Sequence, residues 1–424
     1  MRPYRICIDA LPLLAVATLT GATTLPAQSR PPQHQAASMI RRLDGTTISV
    51  PTADSTVQRL VQQHAITGLQ VAVVNEGRLA WSAAYGVRAR GDGTGSAPVG
   101  PDLPMQRSTT TWAASITKAV FGTYVMQLVE QGRFDLDLPI VHQLPEPLDT
   151  YAPYRQKAEL IVKDTLWQHV TPRMLLSHTA GLLNFATMEP EGRMRLHDLP
   201  GTRYRYSGEG INLLQFVIEQ RLGKPVDSLM HAALFTPLGM PRTSLTFRSD
   251  FAADIADRFG AEGQFLARTR RSPARAAGSM TSTAEDLAAF AVALMDNRIL
   301  RASTRAEMLR PQVRITARTQ FGPGSLSTDG DEAARVGLAY GMGWGLLTST
   351  SHGPAFFKEG HGDGAQTYLL CFPRQRSCVV LLANSDNGEF AFRELVNVLL
   401  GTDDVPWTWE GFTPEQIIES RRNP

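Results

Sequence analysis

Two runs of apolar residues near the start of the chain set its first predicted elements. Leu69-Gln70-Val71-Ala72-Val73-Val74 and the stretch from Leu79-Ala80-Trp81 to Val87 predict strands, joined by the turn residues Asn75-Glu76-Gly77. Strand patterns return only far downstream, at Gly343 to Leu347, Gln366 to Phe372 and Cys378 to Ala383. The region between is helical and loop-rich. Phe390 to Leu400 is a closing amphipathic segment that stops at Gly401 as a helix does. The simplest arrangement is α+β, one antiparallel sheet built from both ends of the chain and covered by helices, with a large helical region beside it. The expected domain spans 53–424, its sheet part 53–108 and 321–424, its helical part 109–320.

Ahead of this domain the pattern changes. Arg2 and Arg5 precede a short apolar run, Leu11 to Ala22, and Leu25-Pro26-Ala27 offers a small-residue cleavage site. Residues 1–27 therefore read as a signal peptide, and the mature protein is expected in the periplasm or outside the cell. Residues 28–52, rich in Gln, Pro and small polar side chains, read as a flexible lead-in. A short helix is expected over Thr56 to His64, capped by Asp54 or Ser55. The mature chain contains no run of the ~20 apolar residues that a membrane helix needs.

Composition narrows the partners. The 424 residues carry a formal net charge of +2, which gives no electrostatic case for binding nucleic acid or an anionic membrane. Cys7 leaves with the signal, so the mature chain keeps Cys371 and Cys378, on either side of a four-residue turn. That turn sets the two opposite each other, and a disulfide and two buried thiols both fit. Neither these cysteines nor the histidine spacing suits a metal site, and no cofactor is called for.

The chemistry concentrates between Ala113 and Gly132. The segment after Ser115 is apolar nearly all round, the mark of a buried helix, yet it contains Lys118. Positions three apart share a helical face, so the Lys118 amine can reach the Ser115 hydroxyl. Burial disfavours the ammonium and fits Lys118 for work as a base. A capping serine with a snorkelling lysine is the plainer alternative. Two further segments stand out: the turn-rich stretch Pro200 to Gly210, which contains Tyr206, and Gly360-His361-Gly362-Asp363-Gly364 before a strand.

Together these residues resemble the β-lactamase and penicillin-binding-protein superfamily, within it the class C-like branch of DD-peptidases, esterases and β-lactamase-like proteins. The motifs are Ser115-Ile116-Thr117-Lys118 for Ser-x-x-Lys, Tyr206-Ser207-Gly208 for Tyr-x-Asn, and His361-Gly362-Asp363 for Lys-Thr-Gly or His-x-Gly. The phrases Leu175 to Gly181, Ala277 to Leu287 and Ala383-Asn384-Ser385 match as well. The resemblance implies that Ser115 is the nucleophile, Lys118 its base or orienting cation, and Tyr206 the shuttle to the leaving group. It implies an oxyanion hole of the Ser115 and Gly364 N–H groups, and substrate contacts at Gly208, His361, Gly362 and Asp363. Gly208 for Asn, His361 for Lys and Asp363 for Gly point away from β-lactams, towards an esterase or peptidase. The expected partner is a small-molecule or peptide acyl donor, and the expected state a monomer. A catalytically weak sensor on the same fold is the alternative. His178 is expected to be a structural cation in the last turn of a helix that starts at Thr171-Pro172 and ends near Gly181.

Overall fold

Val71, Val73, Val379 and Leu381 alternate with Ala72, Val74, Val380 and Leu382, and the alternation puts one set on each face of a sheet. The computed structural model describes residues 38–422, so the expected signal peptide lies outside the described residues. The strands are β1 (Gly68–Asn75), β2 (Arg78–Ala89), β3 (Leu103–Pro104), β4 (Val313–Arg314), β5 (Leu338–Tyr340), β6 (Gly345–Leu347), β7 (Ala355–Gly362), β8 (Ala365–Phe372) and β9 (Ser377–Ala383). They form one nine-stranded antiparallel sheet in the order β4-β5-β6-β7-β8-β9-β1-β2-β3. Strands from the two ends of the chain meet where β9 pairs with β1.

Four helices cover the sheet, α1 (Val50–Gln63), α2 (Ile116–Glu130), α4 (Ala284–Met295) and α5 (Glu389–Leu400), while α3 (Gly208–Leu222) belongs to the helical region beside it. The face carrying Ala72, Leu369 and Val380 packs on α2, α4 and the helical region beyond. The opposite face, with Val71, Leu370 and Leu381, packs on α1 and α5. β8 and β9 are buried throughout because both of their faces are covered. α5 ends at Gly401, whose φ of 72° closes the helix in the left-handed region as the sequence suggests.

Three expectations need correction. The described part of the lead-in predicted over 28–52 is regular structure: Met39–Arg41 pairs with Thr47–Ser49 and buries Ile40 and Ile48 in the core. The first helix starts at Val50 rather than Thr56, because Ser49 accepts the Thr52 N–H at 3.2 Å and Pro51 needs no donor in a first turn. Strand β7 has no counterpart in the hydrophobic pattern, since Lys358, Glu359 and two glycines interrupt it. The four-residue turn after β8 sets Cys371 opposite Cys378, and the two are joined as a disulfide. Among the described residues no helix is long and apolar enough to cross a membrane.

Candidate active site

The chain approaches Ser115 along Thr111–Trp112, which pairs with Thr281–Ser282. Ala113 is pinned from both sides, its N–H donating to Met280 O (2.9 Å) and its carbonyl accepting the Thr367 hydroxyl (3.1 Å). Ala114 then turns the backbone at φ 43°, a region that costs an L-residue about 1 kcal/mol or more. The turn leaves Ser115 half-exposed at the N-cap of α2. Its N–H has no acceptor among the described residues.

Lys118 lies one helical turn on and is 1% exposed. Its Nζ donates to Ser115 Oγ at 2.9 Å and to Ala277 O at 2.5 Å. Burial pulls the ammonium below its ordinary value, and the charge on Lys358 adds to that, against an opposing pull from Tyr206. Tyr206 is buried between two lysines, its ring centroid 4.8 Å from Lys118 Nζ and 5.1 Å from Lys358 Nζ. Burial pushes its hydroxyl up, but Lys118 and Lys358 together outweigh burial and hold it below the usual phenol value.

Lys358 and Glu359 are the functional candidates that the sequence reading missed. Both are fully buried, with Lys358 Nζ donating to Glu359 Oε1 (2.5 Å) and Gln320 Nε2 donating to the same oxygen (2.9 Å). Burial works against both charges, and their attraction overcomes it: Lys358 sits above its ordinary value and Glu359 below. A signal was present. Lys358-Glu359-Gly360 spells Lys-x-Gly, on one of only five lysines in the chain, directly after an apolar run.

The period of two along β7 decides the alignment. Lys358, Gly360 and Gly362 face α2: a Cβ on Gly360 would lie 2.8 Å from Ser115 N, and one on Gly362 would collide with the Trp112 ring. His361 faces the other way. Its Nδ1 bonds Glu389 Oε1 (2.6 Å), and its ring lies 4.9 Å from that of Phe412. Burial lowers the imidazole, and Glu389 reverses this and raises it. The Lys-x-Gly spacing is met by Lys358-Glu359-Gly360, and the His361 ring, expected at the substrate, is turned from Ser115 towards Glu389 and Phe412.

The other predicted residues separate in the same way. Gly364 donates its N–H to Asp386 Oδ1 at 2.6 Å, so that group is not turned to Ser115. Asp363 sits in the turn after β7 and gives its carbonyl to Arg258 Nη1 (2.7 Å). Gly208 opens α3 and donates to Asn184 Oδ1 (2.9 Å). A Cβ there would lie 2.8 Å from the Phe185 ring, so the Asn184-Phe185 loop occupies the space that a longer side chain would take. His178 is not a helix-end cation. The short helix stops at Leu176, His178 has φ 58°, and its buried Nδ1 accepts the Ser207 N–H (3.2 Å). Burial, then Lys118 and Lys358, hold His178 well below its ordinary value, so the ring is neutral.

A strand against a buried helix, with a serine, two lysines and a tyrosine converging between them, is the arrangement of the β-lactamase and penicillin-binding-protein superfamily. The chain belongs to the Beta-lactamase family, whose model matches residues 53–402. It is 27% identical to Penicillin-binding protein 4 of Amycolatopsis lactamdurans over 367 residues, 80% of this chain and 86% of that protein. It is 26% identical to Esterase EstB of Burkholderia gladioli over 231 residues, 47% of this chain and 53% of that protein. In structure it resembles the octameric penicillin-binding protein homologue of Pyrococcus abyssi, with a TM-score of 0.64 at 19% identity over 88% of this chain and 81% of that one.

Proposed function

We propose that the protein is an exported serine hydrolase that forms an acyl-enzyme on Ser115. The observation that carries this is the 2.9 Å bond from a buried lysine, Lys118, to Ser115 Oγ at the start of α2. In this reading Lys118, eased towards its neutral form by burial, takes the Ser115 proton as the hydroxyl oxygen attacks an acyl carbon. Tyr206, held between two cations, relays the proton to the leaving group. How the proton is shared belongs to the coupled pair and not to either residue. The oxyanion that develops is met by the Ser115 N–H and the exposed edge of β7 beside Gly360, in place of Gly364.

The preferred substrates are carboxylic esters whose leaving group carries no charge. Lys358 restores the cation at the Lys-x-Gly position, but Glu359 stands where the superfamily has threonine. An ionised carboxylate beside Tyr206 repels an anionic leaving group, which disfavours β-lactams and peptides with a free C-terminus. Kinetics on p-nitrophenyl esters, β-lactams and D-Ala-D-Ala peptides test this. Esters should be turned over fastest, and Lys118→Ala and Tyr206→Phe should each lower kcat about 10²-fold or more, with the double variant far from additive. Wild-type rates in both variants would remove the pair from the reaction.

A further inference from the structure

Trp112 lies three residues before Ser115, and its ring is pressed against Gly362 of β7. Two guanidinium groups share that ring: Arg271 at 3.7 Å from its centroid and Arg258 at 4.9 Å. Both arginines are half-buried. Neither forms an ion pair among the described residues, although Arg173, Arg205 and Arg393 elsewhere each hold a carboxylate. Arg258 spends one N–H on the Asp363 carbonyl, and its Nε is buried without a partner. Burial, then repulsion from Arg258 and Arg275, pushes Arg271 down to about 10. Asp363 draws both guanidiniums the other way without closing to an ion pair. Half-buried like charges with unspent donors are costly to hold side by side, and an anion between them removes the cost.

The position says which part of a substrate carries that anion. Gly360 is against Ser115 N, and Gly362, two residues of extended strand or about 7 Å further, is against Trp112. Lys358 and Tyr206 lie in the opposite direction from Gly360 along the same edge. With Tyr206 serving the leaving group, the Trp112 end receives the acyl half. We infer that Trp112, Arg258 and Arg271 form a subsite for a carboxylate on the acyl portion of the substrate, as in a monoester of a short dicarboxylic acid. The inference rests on the acyl-enzyme reading for its polarity. To the neutral leaving group that Glu359 favours, it adds a preference that nothing in the Ser-x-x-Lys, Tyr or Lys-x-Gly residues supplies: an anionic acyl group.

Paired esters test it. The ratio of kcat/KM for mono-p-nitrophenyl glutarate to that for p-nitrophenyl butyrate should fall about 10-fold in Arg271→Gln. It should fall further when Arg258→Gln is added, and rising salt should erode the wild-type ratio. A ratio unchanged within about two-fold in the double variant overturns the subsite. If neither ester is turned over, the acyl-enzyme reading fails, and calorimetric titration of free glutarate then decides the subsite by itself. Saturable binding weakened about 10-fold by Arg271→Gln upholds it, and absence of binding to the wild-type protein overturns it.

Discussion

Lys118 and Lys358 carry the same side chain into two electrostatic settings, and the difference defines their roles. Lys118 has a hydroxyl and a carbonyl for partners and is pushed towards neutrality, whereas Lys358 has the Glu359 carboxylate and stays charged. The charge on Lys358 lowers both Lys118 and Tyr206. Replacing Lys358 with glutamine therefore raises both, so the acid limb of the kcat/KM profile should move to higher pH, read from pH–rate curves on a neutral ester. A limb that stays in place, or moves down, would show that Lys358 does not tune the pair. His178 gives a second pH signature, in stability. Its folded value lies below the ordinary 6.5, so its contribution is fully present above 6.5 and is lost as pH falls from there towards the folded value. His178→Asn keeps an acceptor for the Ser207 N–H but cannot titrate. Its melting temperature should fall less than the wild type's as pH drops below 6.5, measured by calorimetry.

Strand β7 is the element on which the site depends, and it is also one that the hydrophobic pattern does not reveal. β1, β2, β8 and β9 are legible because each is an apolar run bounded by turn residues. β7 carries a buried ion pair and two glycines pressed against Ser115 and Trp112, so its polar content looks like a loop until the sheet is assembled. For the same reason the sequence pattern points to His361, three residues beyond Lys358. The pairing of Ser115 with Lys118 is legible because the two are neighbours on one helix, whereas Glu359 reaches Gln320 only through the fold. Two predictions belong here. Gly360→Ala should lower kcat about 10²-fold or more, because the added methyl meets Ser115 N and displaces either the serine or the strand edge. Near-normal kcat in that variant would contradict the placement. Lys358→Met leaves Glu359 as a buried lone charge and should cost about 3 kcal/mol or more, while Lys358→Met with Glu359→Gln should recover most of it. Denaturant midpoints of the two variants decide.

Across the whole molecule, a sheet built from both chain ends packs on the helical region, and the candidate active site forms where α2 meets β7 beyond Phe357, where pairing with β6 has ended. The Cys371–Cys378 bridge lies at the far end of the β8–β9 hairpin from that edge and suits an oxidising compartment, in keeping with the export we propose. Protein recovered from the periplasm or medium should show no alkylatable thiol on the described chain until it is reduced. The central claim, however, is covalent: one serine among many becomes acylated. Its most direct measurement is the intact mass of the protein after exposure to a p-nitrophenyl phosphonate ester, with peptide mapping of the adduct. One adduct per chain on the peptide containing Ser115, lost entirely in Ser115→Ala and slowed in Lys118→Ala, is the predicted result. An adduct that persists in Ser115→Ala, or maps elsewhere, would contradict the account.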